Sequence, residues 1–358
     1  MEMARVLVQT GPEHYEVREV PIPDPGADAA ILRVEACGLC GTDVEMFRGV
    51  IPDTVFPLAP GHEAIGVIDR IGTNASRAWQ LKEGDRIALH SQLRCGRCRG
   101  CHTGNRCAAP ADGYARSYGF LHPDSPPGLW GGMATHLYLS PEAMTIPLDP
   151  AVPTAEAAFF NALGNGIDWT QDVGKVGPGD RVAILGPGPR GLACVIAARQ
   201  AGAAQVAIVG LETDRHRLDV AEALGASALI SGGRDLGEAL HDVLDEAPTV
   251  VIDTTPLVTE VIPQALQALA LGGRLVLAGL KGGTTAAVPI DLLIHKQLRI
   301  LSGYGKSFEA LAAAVRTIES GDWPIDRITT HCFDLDAAEQ AIEAVEAGGV
   351  VVQVRIEP

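Results

Sequence analysis

An apolar run, Arg181–Leu185, leads directly into a glycine-rich hexapeptide, and this junction limits the possible folds more than any other part of the chain. The hexapeptide reads Gly186-Pro187-Gly188-Pro189-Arg190-Gly191. Leu192–Ala201 then follows a helical period, and Ala204–Val209 reads as a second strand. Strand, GxGxxG turn, helix and strand in this order are typical of a dinucleotide-binding βαβ unit in a doubly wound parallel sheet.

Each glycine of the hexapeptide has its own predicted role. Gly186 permits the tight turn, Gly188 lets the backbone approach a pyrophosphate, and Gly191 lets the helix pack closely on the strand. Pro189 and Arg190 open the helix, whose free N–H groups and dipole favour anions, so both are candidate cofactor-binding residues. An ordinary glycine turn is the alternative interpretation.

The residue at the end of the second strand distinguishes NAD from NADP. An acidic residue there binds the ribose 2′-OH, whereas a small residue with a nearby Arg accommodates a 2′-phosphate. Gly210 occupies this position, and Glu212 and Arg215 follow it. Gly210 and Arg215 favour the phosphate, whereas Glu212 opposes it. We therefore favour NADP(H) over NAD(H).

Length and charge restrict the class of protein. The 358 residues exceed the size at which one hydrophobic core stops growing, roughly 250–300 residues, so two domains are expected. A net charge of −16 argues against a nucleic-acid partner, which needs a basic face. Apolar runs are shorter than the roughly 20 residues of a membrane helix, and no secretory signal pattern precedes the first strand. We expect a cytoplasmic protein with no membrane partner.

The first 90 residues read as short strands separated by turns, including Ala30–Cys37 and Ala64–Ile71, and predict an irregular antiparallel barrel. Between these two strands lie Cys40, His62 and Glu63. A thiolate, an imidazole and a carboxylate are the ligand types that Zn²⁺ accepts in an open catalytic site. We therefore predict that Cys40 and His62 hold a metal in this segment.

Four further cysteines lie within thirteen residues, with spacings of two, two and five residues: Cys95, Cys98, Cys101 and Cys107. Four thiolates at such spacings can surround one tetrahedral Zn²⁺ and leave no open position, which indicates a structural site. Four reduced thiols in a loop, or a redox pair, are the alternatives.

The segment 108–135 is rich in Gly, Pro and aromatic residues, among them Tyr114, Tyr118, Phe120 and Trp130. A long loop with apolar side chains either lines a substrate pocket or covers the core. The first interpretation predicts a moderately hydrophobic substrate.

Taken together, the motifs resemble the zinc-dependent alcohol dehydrogenases of the medium-chain dehydrogenase/reductase superfamily over essentially the whole chain. The resemblance rests on Gly38-Leu39-Cys40-Gly41-Thr42-Asp43, Gly61-His62-Glu63, Gly84-Asp85-Arg86, the four-cysteine segment and Gly186–Gly191. It implies an α/β protein with a GroES-like β-barrel catalytic domain (1–162 and 302–358) and a doubly wound Rossmann cofactor domain (163–301). It also implies a homodimer or homotetramer.

The resemblance further implies roles for single residues. Cys40 and His62 match two catalytic zinc ligands, Thr42 matches the hydroxyl that hydrogen-bonds the substrate oxygen, and Asp43 matches a carboxylate near the metal. Glu63 matches a residue that is a direct ligand in some members and lies behind the ligands in others.

Three departures from the family pattern are informative. Asn161 fills the position of the usual third ligand, and a neutral amide is a poor zinc ligand, so we assign the third position to Glu63 or a water. We expect Glu63→Ala to reduce metal occupancy and Asn161→Ala to leave it unchanged. Glu45 stands where many members carry a proton-relay His, which makes it a candidate relay. The four-cysteine segment has five residues before its last cysteine instead of seven.

These observations predict a zinc-dependent, NAD(P)-linked enzyme that interconverts an alcohol and its ketone or aldehyde, and we expect a moderately hydrophobic secondary alcohol. An NADPH-dependent reductase of C=C or C=N bonds, with a modified or absent catalytic zinc, is the alternative. A non-enzymatic cofactor-binding protein is the third hypothesis, and the joint presence of Cys40, Thr42 and His62 argues against it.

Overall fold

The computed structural model describes residues 2–51, 54–95, 97–102, 107 and 117–358. Strands of the N-terminal half are β1 (Met3–Gly11), β2 (His14–Pro21), β3 (Ala30–Leu39), β4 (Ala64–Ile71), β5 (Arg86–Leu89), β6 (His136–Leu139) and β7 (Thr145–Pro147). The following strands are β8 (Arg181–Leu185), β9 (Gln205–Gly210), β10 (Ser227–Ile230), β11 (Val250–Asp253), β12 (Arg274–Leu277), β13 (Arg299–Ser302), β14 (Thr329–Phe333) and β15 (Gln353–Ile356).

The helices that connect these strands are α1 (Gly41–Phe47), α2 (Thr73–Trp79), α3 (Arg99–His102), α4 (Thr154–Ala157), α5 (Phe160–Ile167), α6 (Pro189–Gln200), α7 (Arg215–Ala223), α8 (Leu236–His241), α9 (Val261–Ala268), α10 (Ile290–Lys296), α11 (Phe308–Glu319) and α12 (Ala338–Ala347). Among the described residues, the helices are too short or too polar to cross a membrane.

Strands β8 to β13 form one six-stranded parallel sheet in the order β10-β9-β8-β11-β12-β13. The order reverses between β8 and β11, and ligands bind at such a switch point beyond the carboxyl ends of the strands. Residues 182–185 of β8 are buried because strands of a parallel sheet are covered on both faces. The glycine-rich hexapeptide therefore follows β8 at the position that the sequence predicts.

A second sheet, in the order β14-β15-β3-β4-β5-β7 with β6 paired to β3, forms the predicted irregular barrel. Its pairs are antiparallel except for β14 and β15, which run parallel. Strand β15 pairs with the end of β3, placing Val354 opposite Leu39 and Ile356 opposite Cys37. The last strand thus completes the sheet beside Cys40.

One hydrophobic core continues from the barrel into the parallel-sheet domain. Phe159 and Phe160 are fully buried in it, together with Ile65 of β4 and Ile184 of β8. This shared core holds the two sheets against each other and leaves a cleft between them at the switch point. The domain boundaries inferred from sequence, 1–162 with 302–358 and 163–301, remain a prediction.

For the region after residue 153, the sequence predicts a helix over Thr154–Leu163 that Gly164 and Gly166 interrupt and that continues over Ile167–Val173. The structure divides this region differently. The chain forms α4 and then α5, which continues as a π-helix over Asp168–Val173. Gly166 lies inside α5 because a Cβ there would be 2.5 Å from the Ala193 carbonyl carbon of α6. The glycine therefore serves close helix packing and does not break the helix.

Candidate metal and cofactor site

Cys40, His62 and Glu63 place their ligand atoms within 4.8 Å of one another. Cys40 Sγ lies 3.3 Å from His62 Nε2, and His62 Nε2 lies 3.8 Å from Glu63 Oε1. Ligand atoms around one tetrahedral Zn²⁺ lie roughly 3.3–3.8 Å apart, by the usual zinc bond lengths. The donor set and its spacing therefore fit a zinc ion with one open position.

The pairing of β3 with β4 brings these ligands together although Cys40 and His62 are 22 residues apart. Cys37 of β3 stands opposite Ala64 of β4, so the residue after β3 and the two residues before β4 meet at one sheet end. Gly38 strengthens the junction by donating its N–H to the Glu63 carbonyl at 3.1 Å.

Asp43 is fully buried and contacts two of the three candidate ligands, Cys40 and His62. Its Oδ2 accepts the Cys40 backbone N–H at 2.9 Å, and its Oδ1 lies 3.2 Å from His62 Nδ1. Burial raises the pKa of Asp43, but the charge of His62 and the hydrogen bonds from His62 and Cys40 together hold the pKa below its ordinary value. Burial likewise lowers the pKa of His62, while Asp43 and Cys40 outweigh it and raise the pKa well above 6.5. A carboxylate at Nδ1 fixes the imidazole so that Nε2 faces the other ligands.

Glu63 is joined to two further buried side chains. Asn161 donates its Nδ2–H to Glu63 Oε1, and Lys306 donates from Nζ to Asn161 Oδ1. Glu63 Oε2 is buried without a hydrogen-bond partner, and a buried oxygen of this kind fits a metal ligand. Burial lowers the pKa of Lys306 to about 8, against the opposing charge of Glu63.

Thr42 and Glu45 lie on α1, and Arg190 of the hexapeptide reaches Thr42 from across the cleft. Arg190 Nη2 lies 3.5 Å from Thr42 Oγ1 and 3.5 Å from Cys40 Sγ, and its guanidinium lies 5.8 Å from the centre of the Trp169 ring. Burial raises the pKa of Glu45 above its ordinary value of 4.5, and the charge of Arg190 opposes this. The Arg190 side chain therefore extends towards the candidate ligand Cys40. The sequence predicts only that Arg190 lies at the helix N-terminus and binds the cofactor.

The hexapeptide forms a compact turn into α6, with Gly186 at φ +95°. A Cβ at Gly191 would lie 1.9 Å from the Gly186 oxygen, so only glycine fits there. A Cβ at Gly188 would meet no described atom within 4 Å, which leaves the backbone of this turn accessible. Pro189 occupies the first turn of α6. This open turn at the switch point fits a pyrophosphate.

At the end of β9, side chains larger than hydrogen are excluded. A Cβ at Gly210 would lie 2.8 Å from Pro187 Cγ. Glu212 and Arg215 are exposed and pair with each other at 2.9 Å. Glu212, which favours the ribose 2′-OH of NAD, and Arg215, which favours the 2′-phosphate of NADP, therefore lie side by side on the surface.

The four cysteines form a second group of residues that could hold a metal ion, and none of them lines the cleft. The sulfur atoms of Cys98 and Cys101 lie 3.5 Å apart, while Cys95–Cys101 and Cys98–Cys107 are both separated by 3.9 Å. Backbone N–H groups, chiefly that of Arg97, lower the pKa of the Cys95 thiol. None of the eight cysteines, all of which the structure describes, forms a disulfide. The cluster fits a tetrahedral S₄ site.

The cleft beside the metal ligands has a volume of about 100 Å³. Polar residues lining it are Thr42, His62, Ser91, Gln92, Ser117, Asn161, Asn165, Arg190 and Lys306, and larger apolar or aromatic residues are Phe120, Trp169, Leu280 and Tyr304. Of the aromatic residues predicted from the loop 108–135, Phe120 therefore lines the cleft. Tyr118 and Trp130 are buried in the barrel core, and Tyr114 lies outside the described residues.

Lys306 is a site residue that the sequence reasoning missed. It follows β13 in the stretch Gly303-Tyr304-Gly305-Lys306. A charged residue just beyond the carboxyl end of a parallel strand is a signal for a ligand-binding position, and this signal could have identified it.

Two family models match the chain. Residues 26–150 match the alcohol dehydrogenase GroES-like domain, and residues 189–320 match the zinc-binding dehydrogenase domain. A relative named "Probable alcohol dehydrogenase adh" in Mycobacterium tuberculosis is 36% identical over 97% of this chain and 96% of its own length. The 5-exo-hydroxycamphor dehydrogenase of Pseudomonas putida is 31% identical and covers 98% of both chains.

Solved structures are also similar to this chain over its whole length. A zinc-binding dehydrogenase of Sinorhizobium meliloti 1021, bound to NADP, is 27% identical, covers 100% of both chains and superposes with a TM-score of 0.87. An alcohol dehydrogenase of Thermotoga maritima superposes with a TM-score of 0.88 at 22% identity, which shows a shared fold.

Proposed function

The chain belongs to the zinc-dependent alcohol dehydrogenase family of the medium-chain dehydrogenase/reductase superfamily, and we propose that Cys40, His62 and Glu63 hold its catalytic zinc. Membership confirms the predicted GroES-like barrel with a Rossmann domain. The protein is an NAD(P)-linked oxidoreductase that interconverts alcohols and carbonyl compounds. The observation that carries the proposed ligand set is the convergence of these three donors within 4.8 Å.

Thr42 handles the proton in the proposed mechanism. When bound, the zinc polarises the substrate oxygen and the nicotinamide exchanges a hydride with the substrate carbon. Thr42 Oγ1 faces the cleft beside Cys40 and accepts the proton of the substrate hydroxyl during oxidation. It passes its own proton towards the half-buried Glu45 carboxylate on the same helix, or to solvent.

The surrounding residues prepare the site. Asp43 orients His62 through its Oδ1, and the glycine turn at 186–191 holds the pyrophosphate of the cofactor.

The experiment that tests the ligand set measures zinc content and alcohol oxidation together. We expect two zinc ions per chain, one in the cysteine cluster and one in the cleft. Activity should be lost when the cleft zinc is removed and restored when it is added back. Full activity in protein that retains only one zinc would contradict the proposal.

A reductase of C=C or C=N bonds remains a second candidate because Asn161 replaces the anionic third ligand of the family. One zinc per chain, confined to the cysteine cluster, together with reduction of an activated alkene or imine, would favour this reaction. The position of Glu63 beside His62 Nε2 favours the alcohol reaction.

For the substrate, we propose a secondary alcohol that presents an apolar surface to Phe120 and Trp169. Polar and apolar surfaces line the cleft in nearly equal parts, which makes the substrate less hydrophobic than the aromatic loop predicts. The relatives are named for hydroxycamphor and for sorbitol, which differ widely in polarity. A panel of secondary alcohols of equal size, with and without a neighbouring hydroxyl, would decide how polar the substrate is.

For the cofactor, we propose NADP(H). The exclusion of an acidic side chain at Gly210 and the exposed Arg215 support this choice, and Glu212 acts against it. Arg215→Ala should raise the Michaelis constant for NADP(H) and leave that for NAD(H) nearly unchanged. A wild-type preference for NAD of tenfold or more would refute the proposal.

We also propose that Cys95, Cys98, Cys101 and Cys107 hold a structural zinc and that the enzyme is a cytoplasmic homodimer or homotetramer. Strand β13 is at the edge of its sheet, where Ile300 is exposed, and the exposed Ile290 and Ile294 of α10 lie nearby in the chain. An uncovered apolar edge strand is suited to pairing with a second copy. Eight cysteines without a disulfide support a reducing compartment. Light scattering of the wild type and Ile300→Lys tests the oligomer.

A further inference from the structure

A buried row of three side chains runs from Lys306 through Asn161 to Glu63. Lys306 is 7% exposed, and Asn161 and Glu63 are each 1% exposed. The contacts join residues that are 145 and 98 positions apart in the chain. Lys306 follows β13 of the parallel sheet, Asn161 is on α5, and Glu63 precedes β4 of the barrel. Three separate elements therefore contribute to one hydrogen-bonded row behind the zinc ligands.

The chemistry of the end groups fixes the direction of every hydrogen bond in this row. An ammonium group only donates and an ionised carboxylate only accepts. Asn161 must therefore turn its oxygen to Lys306 and its N–H₂ to Glu63. The reverse orientation would place the amide N–H₂ against the ammonium group and its oxygen against the carboxylate. Lys306 thus determines which atom of Asn161 faces the metal ligands.

This orientation has two consequences for the metal. Asn161 Oδ1, the atom of the amide able to ligate zinc, is occupied by Lys306. Glu63 Oε1 receives a hydrogen bond, and a ligating carboxylate is commonly held by such a bond. Gly38 provides the remaining space, since a Cβ there would lie 2.5 Å from Glu63 Oε2.

We propose that Lys306 is a positioning residue that, acting through Asn161, makes Glu63 the third zinc ligand; this inference rests on the proposed ligand set. The cation also offsets the charge of a site that contains a thiolate and two buried carboxylates, Glu63 and Asp43. The row changes our expectation for Asn161→Ala. Removal of its hydrogen bond should now weaken metal binding, although Asn161 is not itself a ligand.

The test measures the affinity of the catalytic site for Zn²⁺ by competition with a chromophoric chelator, using protein whose cysteine cluster stays loaded. Cobalt substitution gives a second readout, because the Cys40 thiolate produces a charge-transfer band when Co²⁺ binds. We expect Lys306→Met and Asn161→Leu each to weaken binding about 10–100-fold. Lys306→Arg, which keeps the donor, should bind nearly as tightly as the wild type.

Controls separate this role from general loss of structure. Lys281 is a second lysine with little exposure (13%), paired with Asp253 at 2.8 Å in the parallel-sheet domain, and Lys281→Met should leave zinc affinity unchanged. The double variant Lys306→Met/Asn161→Leu should bind no more weakly than either single variant, because both changes break the same row. If Lys306→Met does not fold, Lys306→Gln replaces it.

Glu63→Ala, measured in parallel, distinguishes the two possible failures. Loss of zinc in Glu63→Ala with wild-type affinity in Lys306→Met would overturn this inference and leave the ligand set intact. Retention of zinc in Glu63→Ala would overturn the ligand set itself. Loss in both, with recovery in Lys306→Arg, supports the role of Lys306.

Discussion

The cysteine cluster and the cleft site are built in opposite ways. Cys95–Cys107 supplies four thiols from thirteen consecutive residues, with neighbouring sulfurs 3.5–3.9 Å apart. The cleft site takes Cys40 from the end of β3 and Glu63 from the start of β4, and Asn161 joins Glu63 to Lys306 from beyond β13. One site is closed and local, whereas the other is open and assembled by tertiary structure.

The difference explains what each site can do. In the proposed structural site, four thiolates would fill the tetrahedral positions of Zn²⁺, so the ion would contribute binding energy and no chemistry. Three protein ligands leave a position for substrate, and Asp43 and Lys306 then hold those ligands in place. A change near the cleft should therefore alter reactivity, whereas a change in the cluster should alter stability.

The largest expected effect is that of Cys40→Ser. Loss of this thiolate should remove the catalytic zinc and lower kcat/KM by about 10³-fold or more, because the Lewis acid is lost. Metal analysis should show one zinc per chain, and the melting temperature should change little. A variant that binds one zinc and keeps more than a tenth of its activity would remove the distinction between the two sites.

Asp43→Asn should have the next largest effect. The amide cannot provide the charge that orients His62, and changes of this kind cost about 10–100-fold in metal affinity or activity. Zinc affinity of the cleft site and kcat/KM should both fall, while the cluster keeps its ion. Unchanged values for both would show that Asp43 only caps α1 through the Cys40 N–H.

Cys98→Ser should affect stability more than catalysis. The variant should lose the cluster zinc and melt roughly 5 °C lower, because a bound metal contributes to folding free energy. At 25 °C its kcat should stay within about threefold of wild type. Calorimetry and metal analysis measure these effects, and a collapse of kcat in folded protein would show that the cluster shapes the cleft.

The smallest expected effect is that of Glu45→Gln. If Glu45 accepts the proton from Thr42, alcohol oxidation needs its carboxylate ionised, and the rate should rise with pH through its pKa, which burial places above 4.5. Glutamine does not titrate, so this rise should disappear and kcat should fall by up to about tenfold. Glu45→Asp should keep the rise. A profile for Glu45→Gln that matches the wild type would exclude Glu45 from proton transfer.

The contrast between a local cysteine cluster and a cleft site assembled by tertiary structure also explains which features could be predicted from the sequence. The cluster and the GxGxxG turn are local patterns whose spacing defines the ligand, so the sequence predicted where each lies. The strands Ala30–Cys37 and Ala64–Ile71 were also predicted, because both show apolar patterns, but their pairing is known only from the structure. Asn161 could be identified as a departure from the family, but nothing local to it indicates that its partner is Lys306.

Two other differences have physical causes. Gly166 looks like a helix breaker, but close packing of α5 on α6 requires a residue without a side chain there. Arg190 looks like a residue at a helix N-terminus, but its long side chain reaches Cys40 and Thr42, where negative charge is concentrated. In both cases tertiary contacts decide a role that local sequence leaves open.

The pairing of β15 with β3 has a consequence for biosynthesis. The strand that covers the end of β3 beside Cys40 leaves the ribosome about 290 residues after Glu63, which takes roughly 15–60 s at ordinary translation rates. The cysteine cluster needs no such delay, since its ligands emerge together. Zinc should therefore enter this protein in two stages, first during synthesis at the cluster and later at the cleft, once the barrel has closed.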